Sequence, residues 1–75
     1  LAVAADFDGD GTIDLAVPSL DRLTLRFISF KGGVREIARK SLPSPALSDF
    51  RLEFVRGKPT VVVGLGAGRT VKVTN

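Results

Sequence analysis

The sequence predicts an all-β fold of short antiparallel strands, and three observations support this prediction. Apolar and polar residues alternate over short runs such as "LTLRF" at 23–27, which is the period of a half-buried strand. Turn residues separate the runs, as in "KGG" at 31–33 and "RGKP" at 56–59. No run combines helical spacing with enough length between its Gly and Pro boundaries to predict a secure helix.

Seven segments share this strand pattern. One of them, "VREIARKSL" at 34–42, also has helical spacing of its apolar residues, but Gly33 and Pro43 leave too little room for a helix. We therefore predict a strand there as well. The predicted strands span 1–5, 13–17, 23–30, 34–42, 50–54, 60–65 and 70–74.

The chain also repeats itself after 46 residues, so that the strand–turn–strand segment 13–27 is echoed by 59–73. This repeat divides the sequence into a first unit at 1–46 and a partial second unit at 47–75. Together they make about one and a half four-stranded repeats. The residues that coincide include Leu15 with Val61, Val17 with Val63, and Leu25 with Val71.

An acidic loop at residues 6–14 is the main candidate for a functional site. Its spacing is D-x-D-x-D-G-x-x-D, and it holds four of the eight acidic residues in a chain with eleven Lys and Arg. Like charges this close repel one another unless a cation binds among them. Oxygen ligands at alternating positions, wrapped around Gly11, suit Ca²⁺ better than Mg²⁺. The predicted ligands are the side chains of Asp6, Asp8, Asp10 and Asp14 and the carbonyl of Thr12.

Phe7 and Ile13 lie between the predicted ligands, and we expect both side chains to face the core and anchor the loop. The loop is not an EF-hand, because its twelfth position is Val17 instead of Glu and strands flank it. A plain polar turn is the alternative to a calcium site. Catalysis by paired carboxylates is disfavoured, since acids that share one metal do not have the separated pKa values of an acid–base pair.

The segment "AADFDGDGTIDLAVPS" at 4–19 resembles the calcium loop of FG-GAP/VCBS-type repeats, the blades of integrin-α-like β-propellers. The resemblance implies that the chain is an antiparallel β-propeller blade segment from a larger propeller. It also implies that Asp6, Asp8, Asp10, Asp14 and the Thr12 carbonyl bind Ca²⁺. The implied location is extracytoplasmic, whether secreted, periplasmic or at the cell surface. The second unit lacks the acids of the loop, so no site carries over to it.

A propeller blade buries both faces of its sheet, so we expect self-association or packing against the remaining blades of a parent propeller. The first residue is Leu1 rather than Met, and we expect a segment of a longer protein.

Composition argues against several other functions. The basic residues are spread evenly and Tyr and Trp are absent, which disfavours nucleic-acid binding despite the net charge of +3. No apolar run approaches the length of a membrane span. Without His or Cys there is no catalytic triad, and the glycines of "VVVGLGAGRT" are not spaced for a nucleotide. We predict that the chain is not an enzyme.

Two functions remain open. The first is a calcium-stabilised propeller segment that acts as a scaffold for protein or carbohydrate binding, as in cell adhesion. The second is a purely structural terminal segment of a larger secreted or periplasmic protein, with the activity located elsewhere in that protein.

Overall fold

Seven strands make up the fold in a computed structural model that describes residues 2–47 and 49–75. They are β1 (Val3–Ala5), β2 (Asp14–Pro18), β3 (Thr24–Ser29), β4 (Arg35–Ser41), β5 (Phe50–Val55), β6 (Lys58–Gly66) and β7 (Arg69–Val73). Every strand pairing is antiparallel, and none of the described residues is helical, which confirms the predicted all-β fold. It follows that the described ranges contain no helix that could cross a membrane. Leu1, in the first predicted strand, and Ser48, in the segment 43–49 predicted to be a loop, are outside the described residues.

The strands divide into a first sheet with the order β1-β2-β3-β4 and a second sheet with the order β5-β6-β7. Both sheets are meanders in which each strand pairs with its neighbour in sequence. Segment 34–42, in which helical and strand patterns competed, forms β4 and pairs with β3 across a bulge between Phe27 and Ile28. The first sheet lies within residues 3–41 and the second within residues 50–73.

Two-residue turns join the strands of the second sheet. The turns are Arg56–Gly57, with φ of 53° and 78°, and Ala67–Gly68, with φ of 54° and 72°. Positive φ at both central residues defines the type I′ turn, whose twist matches that of the strands it joins. The predicted turn at 56–59 is therefore too long, since Pro59 already lies in β6 opposite Phe54. Strand β7 ends opposite Val61, so the ladder with β7 requires no N–H from Pro59.

The two sheets pack face to face around one hydrophobic core. The first sheet contributes Ala16, Leu25 and Phe27, and the second contributes Val61 and Val63, all fully buried. The smallest dimension of the protein is 17 Å, as expected for two sheets about 10 Å apart with side chains outside. Both units therefore depend on the same core.

The segment that connects β4 to β5 lies close against β6 at Leu47 and Asp49. The Gly64 N–H donates to the Asp49 carbonyl, and the Leu47 N–H donates to the Gly64 carbonyl at 2.9 Å. A Cβ atom at position 64 would lie 2.6 Å from the Asp49 Cβ, which is closer than carbon atoms approach. Glycine is therefore required at position 64 by close packing.

Candidate metal centre

The acidic loop connects β1 to β2 at one end of the first sheet. Asp14 is the first residue of β2 and pairs with Ala5, the last residue of β1. Because residues alternate between the two faces of a strand, Asp14 lies on the same face as Ala16, which is in the core. This placement buries the Asp14 side chain completely.

The carboxylates of the loop hold its backbone in a tight turn. Asp6 accepts hydrogen bonds from the N–H groups of Gly9 and Asp10 at Oδ1, and from that of Gly11 at Oδ2 over 2.8 Å. Asp8 Oδ1 accepts from the N–H of Asp10 at 3.2 Å. Each short Asp side chain bonds backbone a few residues ahead, which is the usual behaviour of Asp in turns.

Asp10 continues this pattern, because its Oδ1 accepts from the N–H of Thr12 at 2.8 Å. Thr12 is half-buried within the loop. The use of its carbonyl as a ligand stays a prediction.

Asp14 has an unpaired oxygen. Its Oδ2 accepts a hydrogen bond from the Phe7 N–H at 3.1 Å, whereas Oδ1 is buried with no hydrogen-bond partner. A buried polar atom without a partner costs about 1–3 kcal/mol, and more when the group is charged. Native proteins rarely leave such an atom unpaired unless an ion or water occupies the space beside it. A cation or a water molecule beside Asp14 Oδ1 would supply the partner that this oxygen lacks.

The four carboxylates of the loop lie close together. One oxygen from each of Asp6, Asp8, Asp10 and Asp14 can be chosen so that all lie within 4.8 Å of one another. Two oxygens on opposite sides of one Ca²⁺ are about 4.6–5.2 Å apart, given Ca–O distances of about 2.3–2.6 Å. The spread of 4.8 Å among these oxygens is therefore compatible with their binding one metal ion. This is the one such acidic group within residues 2–47 and 49–75.

The loop carboxylates also differ in how readily they hold their charge. Partial desolvation raises the pKa of Asp8, and its contacts with Asp10 and Asp14 add to that increase. The backbone N–H of Thr12 lowers the pKa of Asp10. The negative charge of Asp8 is thus disfavoured mainly by desolvation, and repulsion from the acids beside it adds to this effect.

The two residues expected to anchor the loop behave differently. Phe7 is buried and packs edge-to-face against Phe27, with ring centroids 5.0 Å apart, which confirms that it faces the core. Ile13 is 58% exposed, so the prediction that it faces the core is wrong. Ile13 precedes Asp14, and because the Asp14 side chain points inward, the side chain of its neighbour points outward.

A contact that the sequence analysis did not identify joins the loop to the second sheet. The side-chain amide of Asn75 donates to the Phe7 carbonyl at 3.3 Å, across 68 positions of sequence. A cleft of about 880 Å³ opens beside this contact, between the loop and the β5–β6 hairpin, and its lining includes Asp8, Phe54 and Lys58. No local sequence signal reports a contact over such a separation.

No protein-family model matches the sequence, and comparisons with curated proteins and with solved structures find no match either.

Proposed function

We propose that the acidic loop binds Ca²⁺ and that the bound ion stabilises a β-sheet repeat belonging to a larger β-propeller scaffold. The observation that carries the proposal is the buried, unpaired Oδ1 of Asp14, which belongs to a group of four carboxylates that lie close together. A plain polar turn, the alternative, has no need of a fully buried carboxylate. Surface turns keep their acids in water, where charge is least costly.

The donor set favours calcium over other cations. Four carboxylates and one backbone carbonyl are hard oxygen ligands, and with the possibility of bidentate binding and water they reach the six to eight ligands that Ca²⁺ takes. Mg²⁺ prefers fewer protein ligands and retains several waters. Asp14 is the best candidate for the strongest ligand, since it offers an oxygen with no competing hydrogen bond.

The packing of the two sheets supports a stacked arrangement of repeats. By the 46-residue repeat, Leu15 and Val17 of β2 correspond to Val61 and Val63 of β6. Val61 and Val63 face the first sheet, whereas Leu15 and Val17 lie on the side of the first sheet that faces away from the second. On this pair of strands equivalent faces point in the same direction, as in front-to-back packing, whereas Leu25 and Val71, which the repeat also matches, both face the shared core.

Front-to-back packing can be continued by further sheets, as in propellers and other repeat folds. In a closed sandwich whose two sheets are related by a pseudo-twofold axis, the equivalent faces of the two sheets would instead pack against each other. The outer face of the first sheet carries half-buried Leu15, Val17 and Ile28. In the proposed propeller, that face packs against a neighbouring blade.

The affinity expected of this site agrees with an extracytoplasmic location. A loop without the bidentate Glu of an EF-hand is expected to bind Ca²⁺ with a Kd of about 10⁻⁴–10⁻³ M. Such a site is filled where calcium is millimolar and stays largely empty at cytosolic concentrations. We propose that the calcium-filled repeat serves as a scaffold for binding a protein or carbohydrate, with a purely structural role in a larger protein as the alternative.

Isothermal titration of the chelator-treated 75-residue chain with CaCl₂ tests calcium binding. We expect one ion bound with a Kd of about 10⁻⁴–10⁻³ M, and weaker heat with MgCl₂. Asp14→Ala should weaken binding more than Asp6→Ala. Asp21→Ala is the matched control, because Asp21 accepts hydrogen bonds in an exposed turn outside the loop. An absence of heat at calcium concentrations up to about 10 mM would rule out the proposed site.

A further inference from the structure

Phe7 is fixed on three sides. Its N–H donates to Asp14 Oδ2, and its ring packs against Phe27 of the first sheet. Its carbonyl accepts from the side-chain amide of Asn75. The peptide groups on either side of Phe7 are thus held by a loop ligand and by a residue that follows the second sheet.

Asn75 reaches the loop because of where β7 ends. Val73, the last residue of β7, is buried in the core that both sheets share. Two residues later, Asn75 lies beside the loop on the first sheet. The position of Asn75 therefore depends on the second sheet being docked on the first.

We infer that Asn75 is a positioning residue for the metal site, so that metal binding and the docking of the second sheet stabilise each other. This inference rests on the proposed calcium binding. Phe7 lies between Asp6 and Asp8, and fixing its carbonyl restricts the directions in which those two carboxylates extend. A binding site that is held in its bound geometry beforehand loses less conformational entropy when the ion enters.

Coupling of this kind acts in both directions. If the Asn75 contact increases the affinity for calcium by some factor, calcium strengthens the Asn75 contact by the same factor. The second unit, which lacks acidic ligands of its own, would then still respond to calcium through the first unit.

Calcium titration of Asn75→Ala measures the coupling. Loss of one hydrogen bond between neutral groups should raise the Kd about two- to fivefold. Thr74→Ala, at the exposed neighbouring position, is the matched control and should bind calcium as the unaltered chain does. Circular dichroism of both variants verifies that the sheets are formed.

A second measurement uses the unaltered chain. Asn75 is the only Asn, and the sequence contains no Gln, so its side-chain amide gives the single NH₂ pair in a ¹⁵N-labelled spectrum. CaCl₂ should shift that pair along a curve with the same Kd as the calorimetric titration. In Asp14→Ala the pair should stay in place over the same range.

The outcomes separate the two proposals. If the unaltered chain binds no calcium, the proposed function fails and the inference fails with it. If the unaltered chain binds calcium but Asn75→Ala binds equally well, or the NH₂ pair does not respond, the coupling alone is refuted. Weakened binding in Asn75→Ala together with a calcium-dependent shift supports it.

Discussion

Replacing Asp14 by Asn should change stability in opposite directions with and without calcium. Without metal, Asp14 is a fully buried carboxylate with one unpaired oxygen and three other acids nearby. Asn has the same shape and retains an oxygen that can accept from the Phe7 N–H, but it carries no charge. Removing a buried charge that is held by a single hydrogen bond should stabilise the metal-free protein by about 1 kcal/mol, a rise in Tm of about 4–8 °C for a domain of this size.

With calcium, the order of the two proteins should reverse. A ligand that binds only the folded state adds RT ln(1 + [L]/Kd) to the free energy of unfolding. At about 10 mM CaCl₂ and a Kd of about 10⁻⁴–10⁻³ M, the unaltered protein gains about 1.4–2.7 kcal/mol. Its Tm should rise by about 6–20 °C, whereas that of Asp14→Asn should rise little because its strongest ligand is lost.

Thermal unfolding followed by circular dichroism, in chelator and in about 10 mM CaCl₂, measures both effects. Asp21→Asn is the control, since it alters an exposed acid outside the loop and should shift the Tm equally in both buffers. The reasoning is refuted if Asp14→Asn is destabilised by the same amount in both conditions. In that case Asp14 would be a purely structural acceptor for the Phe7 N–H.

Three further predictions concern the turns, the packing and the assembly. Ala67→Asn should stabilise the protein by about 0.5–1 kcal/mol, because Asn tolerates the positive φ of a type I′ turn better than Ala does. The same change at Ala4, in β1, should destabilise the protein, because Asn is unfavourable in strands. Denaturant unfolding measures both changes. Gly64→Ala should lower the free energy of unfolding by about 2–3 kcal/mol, because the added Cβ collides with Asp49. Gly32→Ala should lower it less, because position 32 has open space and only its positive φ disfavours Ala. Equal losses in the two variants would contradict the packing argument. Light scattering over a range of concentrations should show association of the 75-residue chain, and a compact 8.0 kDa monomer that unfolds cooperatively at low micromolar concentration would count against the propeller segment.

Local patterns in the sequence predicted the strands and the acidic loop. Alternation placed the strands of both sheets, and the spacing of the four acids identified a group whose carboxylates do converge. These features depend on residues close in sequence, where side-chain periodicity and turn chemistry act directly. The error at Ile13 arose because the loop was considered by itself, without the alternation that begins at Asp14.

Features that depend on distant contacts were not predictable. The 46-residue shift matches Val17 with Val63 and also Leu25 with Val71. In the structure Val63 pairs with Val71, whereas Val17 pairs with Arg26, so the two matches differ by one residue in register. The difference of one residue comes from the unequal turns and from the irregular register after Gly64. Turn length and bulges are set by how the strands pair, and a gapless comparison cannot represent them.

The two units differ most at the connection between their first two strands, and this difference explains why only the first would need an ion. In the second sheet, β5 pairs with β6 over six residue pairs and the turn has two residues. In the first sheet, β1 pairs with β2 over three residue pairs, and the connecting loop spans residues 6–13. A longer loop costs more conformational entropy to close, and a shorter ladder offers fewer hydrogen bonds to offset that cost. An ion held by Asp6, Asp8 and Asp10 in the loop and by Asp14 at the start of β2 would tie β1 to the sheet where the ladder is too short to do so. Calcium should therefore act first on β1, the strand with the fewest contacts of its own.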